Sequence, residues 1–295
     1  MARNWIFLVL LSVIWGASFM GVKLALEGFG PLTVAAIRIV MGAVLLTVLA
    51  GVMGVGLPPL ANRRLWAHVA GMGLFSNAVP FFLLSWGQLH VSSGFAGITM
   101  AVVPLLVLPL AHAFVPGEHL TTRKGGGFVV GFIGVAILIG PGAWASSGAE
   151  VEGWARLACV GAAACYAIGS IITRLSPKVD LVSFSAGALI VASLLITPIA
   201  LWVEGIPTLP NARAMWAVTY LGVFPTALAT ILLVRVVHSA GPSFLSIVNY
   251  LVPVWSVLFG TLLLSETLPA SFLGALSLIM VGLAISRARG IRRRP

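Results

Sequence analysis

Ten apolar stretches dominate this sequence, and they leave few folds open to it. They run over residues 5–26, 32–52, 65–87, 94–115, 125–142, 154–175, 181–203, 215–237, 242–264 and 269–286. Each is 18 to 23 residues long, and short polar or basic segments separate them. About 20 apolar residues at a helical rise cross the hydrocarbon of a bilayer, whereas a barrel strand needs half that length and alternating polarity. The chain is 60% hydrophobic and 8% charged, too apolar to bury its greasy surface and still present a polar shell to water. The expected fold is an all-α membrane protein with ten transmembrane helices. The first stretch is too long for a signal peptide and lacks a small-x-small cleavage site, so it is read as a span.

Charge sets the expected orientation. With the N-terminus in the cytoplasm, 13 of the 17 Lys and Arg residues fall in inner segments, and outer loops hold only Arg156 and Arg213. Lys23 and Arg38 lie within spans. Both termini are thus expected on the cytoplasmic side of the membrane. The net charge of +10 is concentrated at helix ends and in the basic tail 288–295. That pattern fits anionic lipid headgroups and not nucleic acid. Trp5, Trp66, Trp86, Trp144, Trp154, Trp202 and Trp216 fall near run ends, where an amphipathic ring prefers the interface. Trp15 and Trp255 fall near run centres and need another account.

The two halves resemble each other. Trp15 and Tyr166 stand 151 residues apart, as do Lys23 and Arg174; Pro104 and Pro253 stand 149 apart. Glu118 and Glu266, Gly126 and Gly274, and Gly134 and Gly282 stand 148 apart. Five spans per half is an odd number, so the second half enters the membrane upside down. The expected organisation is two inverted five-helix repeats, 1–145 and 146–287, followed by the tail. Such repeats enclose a substrate site near the midplane and alternate between two access states.

Candidate site residues cluster where polar groups meet helix breakers. Asn77 precedes Pro80 by one turn, and Asn249 and Tyr250 precede Pro253 by one turn. A proline in a membrane helix frees a carbonyl, which is tolerated beside a cavity or a polar neighbour. Pro80, Pro104, Pro225 and Pro253 are expected hinges. The asparagines either face a cavity or hold helices together. Trp15, Phe81, Met100, Tyr166, Tyr250 and Trp255 would supply aromatic and soft walls, and Ser18, Ser170, Thr226 and Thr230 hydrogen bonds. This mix suits a neutral or zwitterionic small molecule with an apolar part. Lys23 and Arg38 would snorkel, pair with Glu27, or draw an anionic group into an outer vestibule.

Absences narrow the reading. All seven acids lie in loops or at run ends, so an intramembrane carboxylate for proton coupling or for a cationic drug is missing. His112 is the single histidine well inside a run. The expectation is facilitated or weakly coupled transport. Cys159 and Cys165 make no metal spacing, and neither HExxH nor GxSxG occurs. No cofactor, metal or enzymatic activity is expected. Channel, multidrug-exporter and intramembrane-enzyme readings remain as alternatives, and a monomer or weak homodimer is expected.

WGASFMGVKLALEGFGPLTVAAIR from Trp15, then Pro, Gly-Glu, Gly and GVAI in the first half and Pro, Ser-Glu, Gly and GLAI in the second, resemble the drug/metabolite transporter superfamily, EamA type. The resemblance covers nearly the whole chain. It implies ten helices in two inverted repeats, a cavity among helices one to four and six to nine, and export of metabolites, amino acids or drugs. Length and aromatic walls look most similar to aromatic and neutral amino-acid exporters of the YddG type. Arg38 has Leu189 at its repeat position, so its role is not duplicated.

Overall fold

The computed structural model describes residues 2–139, 150–208, 210–230, 232, 236 and 248–287. The junction at 145, the tail 288–295 and the side chains of Glu150, Asn249 and Tyr250 lie outside the described residues. What is described is helical, with no strand. In chain order the helices are α1 (Ala2–Ala25), α2 (Pro31–Val52), α3 (Arg63–Gly73), α4 (Val79–Gly87), α5 (Ser93–Thr99), α6 (Val103–Phe114), α7 (Thr122–Ile139), α8 (Glu150–Arg174), α9 (Leu181–Val203), α10 (Ala212–Leu221), α11 (Val248–Leu263) and α12 (Ala270–Arg287). A π-helical turn, Leu74–Ala78, joins α3 to α4; a 3-10 turn, Met100–Val102, joins α5 to α6; a second π-helical turn, Gly222–Leu228, extends α10. Among the described residues, six helical stretches are long and apolar enough to cross a membrane: Arg3–Ala25, Pro31–Val52, Arg63–Gly87, Ser93–Phe114, Val151–Arg174 and Leu181–Val203. Leu251–Leu263 and Ala270–Ile285 are shorter apolar helices.

The helix starts follow from the sequence. Asn62 accepts from the Leu65 N–H, Asp180 from Val182 and Ser183, and Asn211 from Ala214, each supplying an acceptor that the first turn lacks. Two further N-termini are capped from a distance. The Glu204 carboxylate accepts the Leu32 and Thr33 N–H groups, both at 2.9 Å, at the start of α2. Glu266 accepts those of Ser93 (2.8 Å) and Gly94 (3.1 Å) at the start of α5. Gly30 makes room for the first of these, because a Cβ there would collide with the Glu204 carboxylate.

α2 packs along α9, α1 along α11 and α10, α4 and α6 against α8, and α5 against α11. α7 and α12 pair chiefly with each other. Their crossing is glycine-lined: a Cβ at Gly134 would sit 2.8 Å from the Ala275 carbonyl, and one at Gly282 would strike the backbone of Gly127 and Gly131. Small residues allow this backbone approach, which is how helices associate where lipid removes the hydrophobic drive. The outer surface is apolar. Val44, Val48, Leu194, Ile199 and Phe132 are exposed, as are Trp154, Trp202 and Trp216 near helix ends. Water would penalise such a surface; lipid does not.

Candidate functional site

A cavity of about 500 Å³ lies among these helices, within the size range of small-molecule sites. Its walls are helical stripes. α1 contributes Trp15, Ser18, Phe19 and Val22. Asn77 in the first π-helical turn begins a stripe that continues along α4 as Phe81, Leu84 and Gln88. α8 adds Tyr166 and Ser170, and α9 adds Ser185 and Leu189, each pair one turn apart. Met100, Val103, Val248 and Val252 close the apolar side, while Pro225 and Thr226 come from the second π-helical stretch and Thr230 from just beyond it. Arg38 enters from α2.

The π-helical turns explain why polar residues sit here. A π turn and a proline both disturb the regular ladder of carbonyl acceptors and amide donors. Asn77 Nδ2 donates to the Met72 carbonyl, five residues back, at 3.3 Å. Thr226 Oγ1 donates to the Leu221 carbonyl, also five back, at 2.8 Å. The indole N–H of Trp15 donates to the Pro225 carbonyl at 3.3 Å. Asn77 and Thr226 stand 149 apart, the same spacing as Pro104 and Pro253. Each half thus has a side chain that donates to a carbonyl five residues back beside the cavity.

Three further cavity hydroxyls are also tied to their helices. Ser18 donates to the Trp15 carbonyl, Ser170 to Ala167 and Thr230 to Thr226. Their protons are committed, so toward a ligand they offer lone pairs only. Among the described residues, Arg38 is the charged group of the cavity wall. It is buried, at 6% exposure. Its guanidinium carbon sits 3.7 Å from the centre of the Phe81 ring, and Nη2 donates to Thr226 Oγ1 at 3.4 Å. No acid lines the cavity among the described residues.

The two intramembrane cations therefore part ways. Lys23 does not pair with Glu27, which meets Arg213 at 3.5 Å. Its ammonium donates to the Gln88 carbonyl at 2.7 Å and the Val91 carbonyl at 3.4 Å, just past the end of α4. The carbonyl-rich end of a helix favours a cation. Lys23 does not line the cavity. Nor does Trp255, whose indole N–H donates to Ser12 Oγ at 3.0 Å. Pro80 follows the first π turn and Pro104 follows the 3-10 turn; Pro253 lies inside continuous α11, so only Pro225 of the four reaches the cavity wall. Asn249 and Tyr250 lie on α11 with their side chains outside the described residues.

Sequence reasoning missed Gln88, Ser185, Met72, Ser76 and the aliphatic lining. For Gln88 a signal existed: it falls 4, 3 and 4 residues along the stripe Asn77–Phe81–Leu84–Gln88. Gln88 is fully buried, and both atoms of its side-chain amide lack a partner.

A lipid-facing helical bundle around an amphipathic cavity defines a membrane transport protein. Comparison with known proteins gives the family. The profile of the EamA-like transporter family matches residues 3–140 and again 153–288. The chain belongs to that family. It is 25% identical to an uncharacterized transporter of Archaeoglobus fulgidus over 96% of this chain and 98% of that one. It is 28% identical to a probable terminal-alkyne amino-acid exporter of Streptantibioticus cattleyicolor, covering 97% and 94%. It is 27% identical to the uncharacterized inner membrane transporter YedA of Escherichia coli K12, covering 88% and 82%. A solved crystal structure superimposes with a TM-score of 0.67 at 21% identity, covering 97% of both chains, which establishes the shared fold.

Proposed function

We propose that this protein exports small zwitterionic metabolites, aromatic and other neutral amino acids foremost, across a bacterial inner membrane. It works by alternating access around the cavity. The observation that carries this reading is the cavity itself: one space with Trp15, Phe81 and Tyr166 on its walls, one cation among the described residues, and hydroxyl acceptors from both halves. An amino acid with an aromatic side chain presents the matching set of groups. The amino-acid exporter among the relatives supports the class of substrate, and the inner membrane transporter supports the location.

The proposal includes ten spans in two inverted repeats, 1–145 and 146–287, with both termini in the cytoplasm. The twofold match of the family profile favours it. So does the packing: α2 meets α9 and α7 meets α12, as repeat mates would around a shared axis. Rocking of one half against the other would hinge near Pro80, Pro104, Pro225 and Pro253. Among the described residues the cavity wall offers no carboxylate for a proton, which supports facilitated or weakly coupled movement.

Liposomes containing the purified chain test this. Radiolabelled phenylalanine is expected to enter saturably, to leave unchanged, and to show counterflow from preloaded vesicles. A pore would give no counterflow, an enzyme would alter the label, and a multidrug carrier would favour quaternary ammonium compounds. Any of these outcomes displaces the reading. Trp15→Ala removes a wall and the donor to Pro225, and is expected to lower uptake at least several-fold.

A further inference from the structure

We propose that Arg38 is the receptor for the carboxylate of the transported molecule, so that a cation lacking a carboxylate is rejected. This deepens the amino-acid reading of the cavity and rests on it. The guanidinium is buried in the cavity wall, yet among the described residues it forms no ion pair. The chain has seven acids, and six are engaged elsewhere. Glu27 meets Arg213, Glu118 meets Arg174 and Lys124, and Glu152 meets Arg156. Asp180, Glu204 and Glu266 cap helix N-termini. The seventh is Glu150, whose side chain lies outside the described residues.

A buried charge without a counter-ion is unfavourable unless something supplies one. The neighbours of Arg38 do not. Phe81 offers a ring face and Thr226 a hydroxyl oxygen. Nε is buried without a hydrogen-bond partner. Helix packing does not demand a cation at this position either, since the repeat mate Leu189 fills its own place in the cavity wall. A guanidinium with an unused Nε–H edge suits a carboxylate, whose two oxygens accept from Nε and a terminal nitrogen together. The hydroxyls of Ser18, Ser170 and Thr230 have donated their protons to carbonyls. They accept from the ammonium of the same zwitterion. The carboxylate neutralises Arg38 only while substrate is present.

Four probes of one shape separate the groups: phenylalanine, 3-phenylpropionate, phenylalaninamide and phenethylamine. Their binding to the purified full chain is read by tryptophan fluorescence, and uptake is measured in liposomes. Both acids are expected to bind at least about tenfold more tightly than the amide or amine, the size of one charge-assisted contact. Arg38→Met is expected to erase that ranking and Arg38→Lys to keep part of it, with thermal unfolding as the check on folding. Should Arg38→Met not fold, Arg38→Lys decides the matter: an acid preference as large as that of the unaltered protein overturns the assignment to Arg38. Equal binding of acid, amide and amine overturns the proposal, as does failure of both acids to bind. Acids that bind but are not taken up leave the receptor standing and refute the exporter reading. Uptake of phenylalanine that phenylalaninamide and phenethylamine match does the reverse: it refutes the receptor and leaves the exporter reading standing.

Discussion

Single residues in this protein serve backbone and cavity together. Thr226 gives its proton to the Leu221 carbonyl and receives one from Arg38. Replacing it with valine keeps the shape and removes both bonds. Thr226→Val is expected to cost about 1–2 kcal/mol of stability, toward the upper end for a hydrogen bond inside a membrane protein. Thr226→Ser should retain most of it. Thermal unfolding in detergent gives the difference, and equal midpoints for the two variants would refute the assignment. Trp15 and Trp255 show how context assigns a role to one residue type. Both sit mid-run, and both indoles find an acceptor, but Trp15 borders the cavity and Trp255 is turned to Ser12.

At the scale of elements, remote caps tie helix ends together. Glu204 stands at the end of α9 and holds the first turn of α2; Glu266 precedes α12 and holds the first turn of α5. A carboxylate at a helix N-terminus meets both the free amides and the positive end of the macrodipole. Glu204→Gln is expected to lower stability by about 1 kcal/mol. Gly30→Ala is expected to do so by displacing the same carboxylate. Because both changes break one interaction, the double variant should lose clearly less than the sum. Additive losses in unfolding midpoints would contradict this. The element boundaries were legible: Pro31 at a first turn, and Asn62, Asp180 and Asn211 at caps, are readable from residue type. The remote caps were not, because their partners lie more than 170 residues away in sequence.

For the whole molecule, α7 and α12 form a glycine-lined pair that contributes nothing to the cavity wall. Gly134→Leu should separate them at a cost of about 1–3 kcal/mol, the usual range for overpacking. The substrate preference of the folded protein should be unchanged. A changed ranking of amino acids in uptake assays would show that this pair shapes the site after all. The apolar runs made an all-helical membrane protein readable without coordinates, since run length measures a helix against the bilayer. Part of the cavity wall was readable too, because Trp15, Asn77 and Tyr166 are unusual near the middle of a span.

The sequence alone determined which segments are helical, where several begin, and that two cations lie inside spans. Only the tertiary structure decided their different fates. Lys23 rests on the carbonyls that end α4, while Arg38 lies over Phe81 in the cavity wall. The reason is geometric. Depth in the bilayer follows from position along one helix, but the direction a side chain faces, and what meets it, depends on how distant helices rotate and pack against each other.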